Sequence, residues 1–432
     1  MQLVANGAQD VYLTENPTIT YWKRAYQRHT NFSVEASEQV FNGPLDFSKR
    51  VTCTITRNGD LIYNTYLEVT LPKVPSTLTP NEVWVDYIGH ALIKSIDISI
   101  GGQTIDKHFG DWLHIWYQLS NKNKEGYEKM IGARVEQDEQ TLYIPLQFWW
   151  NRSPGMALPL IALQYHEVKI TIEFNDRATC IKTGAINACN NLSISKASLF
   201  VDFVYIDTEE RRRFAQASHE YLIQQLQFAG EETVSSGERK RINLSFNHPC
   251  KEIVWAIQTE GNIKAGKTFD YSIEKTVSVE TVEKEKSTKK NASIDHIDDG
   301  DEILGNLMDE TEDIKELSKN KTYKIGTVAN AKIQLNGHDR ITERPGSYYN
   351  LVQPYQHHSH VPNEGIYCYS FALEPESDQP SGTCNMSRID TATLSLQLNE
   401  FGNSDKGKIK VFATNFNVLR VMGGMGGLAF AN

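Results

Sequence analysis

The chain has 432 residues, too many for one ordinary core, and its 40% hydrophobic and 10% aromatic content can bury a large one. A formal net charge of −10 argues against a general nucleic-acid binder, and no apolar run approaches the ~18 residues of a membrane span. The opening MQLVANGAQD has no basic-then-apolar signal segment, which predicts synthesis in the cytosol, and six cysteines without a CxxC pair read as free, mostly buried thiols.

Residues 1–31 read as an extended arm. Asn16-Pro17 blocks helix, and Lys23, Arg24, Arg28 and His29 make the arm locally basic. Its aromatics Tyr21, Trp22 and Tyr26 either pack under the first domain or face whatever lies beneath it.

From residue 32 to about 205 the pattern is strand after strand. Val51, Cys53 and Ile55 alternate, Asn58-Gly59 is a hairpin signal, and residues 61–71 read as the partner strand. Ile96, Ile98 and Ile100 alternate and Gly101-Gly102 turns them. Residues 111–119 predict a helix with Leu113, Trp116 and Tyr117 on its apolar face. Residues 142–149, 166–174 and 198–206 complete the strands.

Residues 207–227 change character. Asp207 with Glu210 resembles a capping box, and ERRRFAQASHEYLIQQLQ is rich in helix formers. This predicts a partly helical linker at 208–227, in which Arg211, Arg212 and Arg213 form a solvated or salt-bridged face rather than a phosphate site.

The second half repeats the first. RVTCTITRNGDLIYNTYLEV from Arg50 is echoed by RINLSFNHPCKEIVWAIQ from Arg241, and IDISIGGQTID from Ile96 by AKIQLNGHDRI from Ala331. LYIPLQFWWNRSPG from Leu142 is echoed by IYCYSFALEPESDQPSG from Ile366, and SLFVDFVYID from Ser198 by KIKVFATNFNVL from Lys408. A repeat of roughly 200 residues means duplicated domains rather than a solenoid. The fold class is all-β: two tandem eight-stranded jelly-roll β-sandwiches (a double jelly roll), with a few short helices in loops and linker. The predicted divisions are the arm 1–31, a first jelly roll 32–207, the linker 208–227, and a second jelly roll 228–432 carrying a charged loop insertion at 262–324. Within that insertion residues 276–282 alternate like a strand, and residues 302–317 space Ile303, Leu307, Ile314 and Leu317 like one helix face. It reads as a small folded tower facing outward.

Three constellations bear on chemistry. His358-x-His360 followed by Glu364 has cupin-like metal spacing, but the flanking glycines are missing and no histidine follows His360. DHIDDGDE at 295–302 resembles part of a calcium loop, with Ile297 and Asn306 where ligands belong. Gly424 to Ala429 fits GxGxxA, yet no helix can follow to receive a pyrophosphate. The expectation is no catalytic residue, no cofactor and no metal, with His358, His360 and Glu364 the weak metal candidates.

Three segments carry a resemblance. YSFALEPESDQPSGTCNMSRID (369–390), GAQDVYLTENPTITYWKRAYQRHTNF (7–32) and NFNVLRVMGGMGGLAF (415–430) resemble the major capsid proteins of nucleocytoplasmic large DNA viruses. The resemblance implies a double jelly roll that forms a homotrimeric, pseudo-hexagonal capsomer and tiles an icosahedral shell. It implies as partners the chain itself, neighbouring capsomers, minor capsid proteins and an inner membrane beneath the shell, with no direct nucleic acid. It places the protein in the virion, made and assembled in the host cytoplasm, with the arm on the inner surface. Two other classes stay open on the residues: a carbohydrate-binding jelly roll using Trp149-Trp150 or Tyr348-Tyr349, and a cupin-type metalloprotein. In a shell protein those aromatics are expected between subunits; in a sugar binder they are expected in an exposed groove.

Overall fold

Two sandwiches with one strand order make up the computed structural model, which describes residues 5–19, 24, 26–74, 78–79, 83–120, 123–134, 138–182, 185, 192–277, 321–402 and 404–431. The first half contains β1 (Phe32–Gln39), β2 (Arg50–Thr54), β3 (Leu61–Leu71), β4 (Ile93–Ile100), β5 (Gln103–Phe109), β6 (Gln140–Pro145), β7 (Leu158–Pro159), β8 (Val168–Phe174) and β9 (Lys196–Ile206). The second contains β10 (His219–Ser235), β11 (Arg239–Asn243), β12 (Pro249–Thr259), β13 (Ser272–Val277), β14 (Lys321–Gly326), β15 (Val328–Leu335), β16 (His338–Pro345), β17 (Ile366–Ser370), β18 (Cys384–Asn385), β19 (Ala392–Leu398), β20 (Lys406–Met422) and β21 (Met425–Leu428).

The sheets run β1-β9-β3-β6 facing β2-β8-β4-β5, and β10-β20-β12-β17 facing β11-β19-β15-β16. Setting aside β7, β18, β21 and the β13–β14 hairpin, each half reads first-eighth-third-sixth over second-seventh-fourth-fifth. That is the double jelly roll. Alternation drives each sandwich. Val168, Ile170, Ile172 and Phe174 of β8 turn inward with Leu67, Val69, Leu199 and Val201 to form one core. Ile253, Trp255, Ile333, Leu394, Leu396 and Val411 form the other.

Several local expectations change. Asn58-Gly59 makes no hairpin: β2 pairs with β8, while β3 pairs with β9 and β6. The turn crosses between sheets, and so does its echo between β11 and β12. A short turn signal cannot distinguish a hairpin from a sheet-to-sheet corner, because both need the same backbone reversal. Gly101-Gly102 and Asn336-Gly337 do turn hairpins, β4–β5 and β15–β16, with all four residues at positive φ.

The linker is shorter than 208–227. Its helix is Thr208–Gln216, capped by Asp207, whose carboxylate accepts the Glu210 N–H at 3.0 Å. Arg211 pairs with Asp60 at 3.0 Å and Arg213 with Glu210 at 3.4 Å. From His219 the chain is strand, because β10 finds a partner in β20 along almost its whole length, and that pairing overrides helix propensity.

The charged segment is not insertion from residue 262 onward. Asn262 is buried and its amide donates to the carbonyls of Asp270 and Ser272 at 2.7 and 2.8 Å. Tyr271 and Ile273 are buried in cores. β13 pairs with β14 from Ser272↔Gly326 to Val277↔Lys321. The rest of the predicted strand at 276–282, the predicted helix at 302–317 and the calcium-like loop at 295–302 lie outside the described residues. In the arm, Tyr12, Leu13 and Tyr26 are exposed; Tyr21 and Trp22 lie outside the described residues. The described cysteines, Cys53, Cys180, Cys250, Cys368 and Cys384, are free.

Candidate functional site: the seam between the sandwiches

The helix predicted at 111–119 is Gly110–Ser120, and it joins the two halves. Gly110 starts it because a Cβ there would meet the carbonyl oxygens of His90 and Ile93, each at 2.3 Å. Trp112, Ile115, Trp116 and Leu119 leave the first sandwich and bury themselves on the outer face of the second. They meet Val254 and Ala256 of β12, Ile366 and Cys368 of β17, Phe412 of β20, and Tyr271. The Trp112 and Phe412 rings lie 5.6 Å apart. Burying two tryptophans and their partners is worth several kcal/mol at ~25 cal/mol per Å² of apolar surface.

Polar contacts fix the angle of this packing. Asp111 in the helix's first turn accepts Lys410 Nζ at 2.6 Å, and Lys410 also pairs with Glu231 at 3.3 Å. Burial works against the Lys410 ammonium, but Asp111 and then Glu231 outweigh it and raise its pKa. Asp106 Oδ1 accepts the Leu226 N–H at 3.0 Å, and Gln118 accepts the Asn363 N–H at 3.1 Å. The C-terminal hairpin β20–β21 also returns to the first sandwich. Gly424 accepts the Tyr165 N–H at 2.9 Å, and Cβ atoms at Gly424 or Gly426 would lie 2.6 Å from Tyr165 or Leu163. The GxGxxA glycines are close-approach residues, Gly424 in the β20–β21 turn and Gly426 on β21.

A charged cluster lies beside the helix. The Arg152 guanidinium sits 4.4 Å from the Trp116 ring centroid and donates to Gln224. Lys251 and Glu252 are buried on β12. Lys251 Nζ donates to the Pro375 carbonyl; burial first, and then Arg152, pull its pKa down to about 7. Glu252 accepts from Thr414 at 3.1 Å and pairs with His358 Nε2 at 2.9 Å. On its other nitrogen His358 faces Glu376 at 3.0 Å, and Glu376 also accepts the Ser359 N–H at 2.9 Å. Burial opposes the imidazolium, but Glu252 leads the groups that raise the His358 pKa well above its ordinary value. The cluster therefore fastens loop 371–384 onto the sandwich through Glu376, the Pro375 carbonyl and the Ser377 carbonyl, which accepts from Gln224 at 3.2 Å.

The three metal candidates do not converge. His358 is taken up by two carboxylates, while His360 and Glu364 are exposed, His360 with its backbone N–H on the Leu119 carbonyl at 3.0 Å. No group of three His, Cys, Asp or Glu able to hold a metal occurs among the described residues. The aromatic pairs fit neither expectation. Trp149, Trp150 and Tyr349 are buried inside the chain, with Trp150 stacked on Phe148 at 4.7 Å and the Tyr349 hydroxyl on the Ala331 carbonyl at 3.1 Å. These three are core residues, and Tyr348 is half-buried with its ring edge-on to Tyr349 at 5.2 Å. Sequence reasoning missed Arg152, Lys251, Glu252 and Glu376. One signal was present: Lys251-Glu252 interrupts the otherwise mainly apolar PCKEIVWAIQT, and adjacent charges in a buried strand need partners.

Residues 20–207 match the family model for the major capsid protein N-terminus, and residues 210–427 match that for the large eukaryotic DNA virus major capsid protein. The chain belongs to this capsid protein family. It is 46% identical over 466 aligned positions to the major capsid protein of Pyramimonas orientalis virus, and 43% identical over 516 to that of Phaeocystis pouchetii virus. Both alignments cover 100% of this chain and 99% of the relative. Among solved structures it resembles a quasi-atomic model of the PBCV-1 virus capsid, with TM-score 0.73, 34% identity, 96% of this chain and 100% of that one. In this chain the seam holds the two β-sandwiches as one structural block.

Proposed function

We propose that three copies of this major capsid protein close into a pseudo-hexagonal capsomer, and that such capsomers tile an icosahedral shell. The observation that supports this is the seam. Two sandwiches of one strand order, held by a buried helix and a charged cluster, supply two similar corners at a fixed angle. Three such blocks present six similar corners, which is the outline needed to cover a surface. In this reading the work is geometric and uses no catalytic group or cofactor. The units are the arm 1–31, a first sandwich ending near residue 207, the short helix Thr208–Gln216, and a second sandwich to the end. The arm faces the shell's inner side, toward minor capsid proteins and a membrane, and assembly takes place in the host cytoplasm.

Light scattering on purified protein tests the oligomer. A particle of three times the 49.0 kDa chain mass is expected; a species that stays at one chain mass at micromolar concentration, folded, overturns the proposal.

A further inference from the structure

The duplicated fold contains a second copy of the seam helix, and its contact face is uncovered. We propose that this helix docks on the first sandwich of another copy of the chain, repeating between chains the contact that the seam makes within one. The inference rests on the trimer reading above and specifies its interface.

The two helices occupy the same place. Both follow the fifth strand and precede the sixth. In the second half the chain winds as a π-turn over Tyr348–Val352 and continues as α-helix over Gln353–His357. Gly110 and Gly346 open the two segments under the same constraint. A Cβ would lie 2.3 Å from the carbonyl oxygen of Ile93, the first residue of β4, or 2.1 Å from that of Val328, the first residue of β15. Counting from these glycines, Ile115, Trp116 and Leu119 correspond to Leu351, Val352 and Tyr355. The first three are buried on the second sandwich. The second three are 45%, 40% and 81% exposed, while Tyr348, at the place of Trp112, is half-buried against its own core.

The receiving face is duplicated too. In the second sandwich the helix lands on the outer face where Val254 of β12 stands opposite Phe412 of β20 and Cys368 of β17. In the first sandwich the same third and eighth strands place Tyr66 opposite Phe200, their rings stacked at 5.2 Å. Tyr143 on the sixth strand lies 6.2 Å from Tyr66. Leu67, Val69, Leu199 and Val201 point into the core, so Tyr66 and Phe200 point outward, where they are half-buried and Tyr143 is exposed. The seam already joins the two sandwiches of one chain and leaves this helix and this face uncovered, so the contact needs a second copy. The contact is head-to-tail, and a head-to-tail contact closes into a ring when its rotation divides the circle. Three chains close the ring with six sandwiches when the within-chain and between-chain steps each turn by about one sixth of a circle.

The test uses the full chain. Leu351→Glu with Tyr355→Glu, or Tyr66→Glu with Tyr143→Glu, should raise the trimer dissociation constant at least tenfold in sedimentation while far-UV circular dichroism is unchanged. Separately, Tyr355→Cys with Tyr143→Cys on one chain, treated with a short bifunctional thiol reagent, should give linked species up to three chains; neither single variant should. If the unmutated chain is a trimer but the Glu variants dissociate no more readily and the double-Cys chain gives no link, this interface is wrong and the trimer stands. Links that stop at two chains would indicate a two-fold contact and also overturn it. An unmutated chain that is monomeric throughout overturns both readings. A Glu variant that misfolds leaves the cross-link to decide, because those two sites are exposed.

Discussion

In the first sandwich the helix after the fifth strand ends up under the second sandwich; in the second sandwich the helix in the same place faces solvent. The strand order, the opening glycine and the clash that fixes it are the same in both. What differs is the neighbour. One helix carries Trp112, Ile115, Trp116 and Leu119 into a partner that is always present, because it is the same chain. The other carries Leu351, Val352 and Tyr355 toward a partner that must be met. Duplication copied a docking device, and covalent linkage satisfied only one of its two copies.

The sharpest way to break that comparison is to truncate equivalent residues. Trp116→Ala should cost about 3–5 kcal/mol of chain stability, from lost burial and an emptied cavity, with the stacked Arg152 left uncovered. Val352→Ala, at the matching position, should change the stability of the dissociated chain by less than about 0.5 kcal/mol. Urea unfolding at a concentration below trimer formation reads both. Comparable costs would mean that the second helix is not a free copy of the first.

A somewhat smaller effect should appear with pH. Lys251 faces Arg152, Glu252, Glu376 and Asp378 in the seam, and its pKa falls from 10.5 to about 7 on folding. The unfolded chain therefore holds this proton more tightly, so the Lys251 contribution rises as pH climbs from about 7 to 10.5. His358 works the other way: its raised pKa contributes stability that is complete below about 6.5 and lost as pH rises through the folded value. Lys251→Met should remove the upward trend between about pH 7 and 10.5 and leave the downward one. If the unfolding midpoint follows the same pH curve in both proteins, the lysine is not ionising as its burial requires.

Much of this was legible in the sequence, at the level of pattern. Period-2 alternation marked the strands, the echo marked the duplication, and Leu113, Trp116 and Tyr117 marked a helix, although of these only Trp116 enters the seam, with Trp112, Ile115 and Leu119, while Leu113 packs in the first core. Pairing was less legible, because Asn58-Gly59 and its echo specify a reversal but not which sheet receives the returning strand. The start of residues 262–324 misled because composition averages over a window, whereas burial of Asn262, Tyr271 and Ile273 is decided residue by residue. The charged cluster was hidden for a different reason. Arg152, Glu252, His358 and Glu376 are far apart in the chain, and each alone has the composition of a surface residue.

The equivalence of the two helix starts can be sharpened with a smaller perturbation. Gly110→Ala and Gly346→Ala each push a methyl group into the carbonyl that opens the fourth strand of their own sandwich. Each should cost about 1–3 kcal/mol by overpacking, and the two costs should be similar. Denaturant midpoints at an unchanged slope would show it. A free substitution at either glycine would mean that the two starts are not constrained alike.

The smallest effect is expected where the two sandwiches differ most. The first joins its third and fourth strands through residues 72–92; the second passes through the β13–β14 hairpin and residues 278–320. Val277 and Lys321 are cross-strand partners, so the ends that this segment joins already lie side by side. An Asn-Gly turn can close them in the hairpin geometry. No described core residue is removed, because Tyr271 and Ile273 precede the cut. Shortening a connection also lowers the entropy cost of closing it, by only about 0.6 kcal/mol for each halving. Replacing residues 278–320 with Asn-Gly should therefore leave chain stability unchanged or slightly raised, and the trimer intact, as read by unfolding midpoint and light scattering. Removing residues 262–324 instead should unfold the second sandwich, because that cut takes Asn262, Tyr271 and Ile273 with it. If the shorter deletion also unfolds it, residues 278–320 support the core, and the difference between the sandwiches lies in the fold itself rather than in a surface addition.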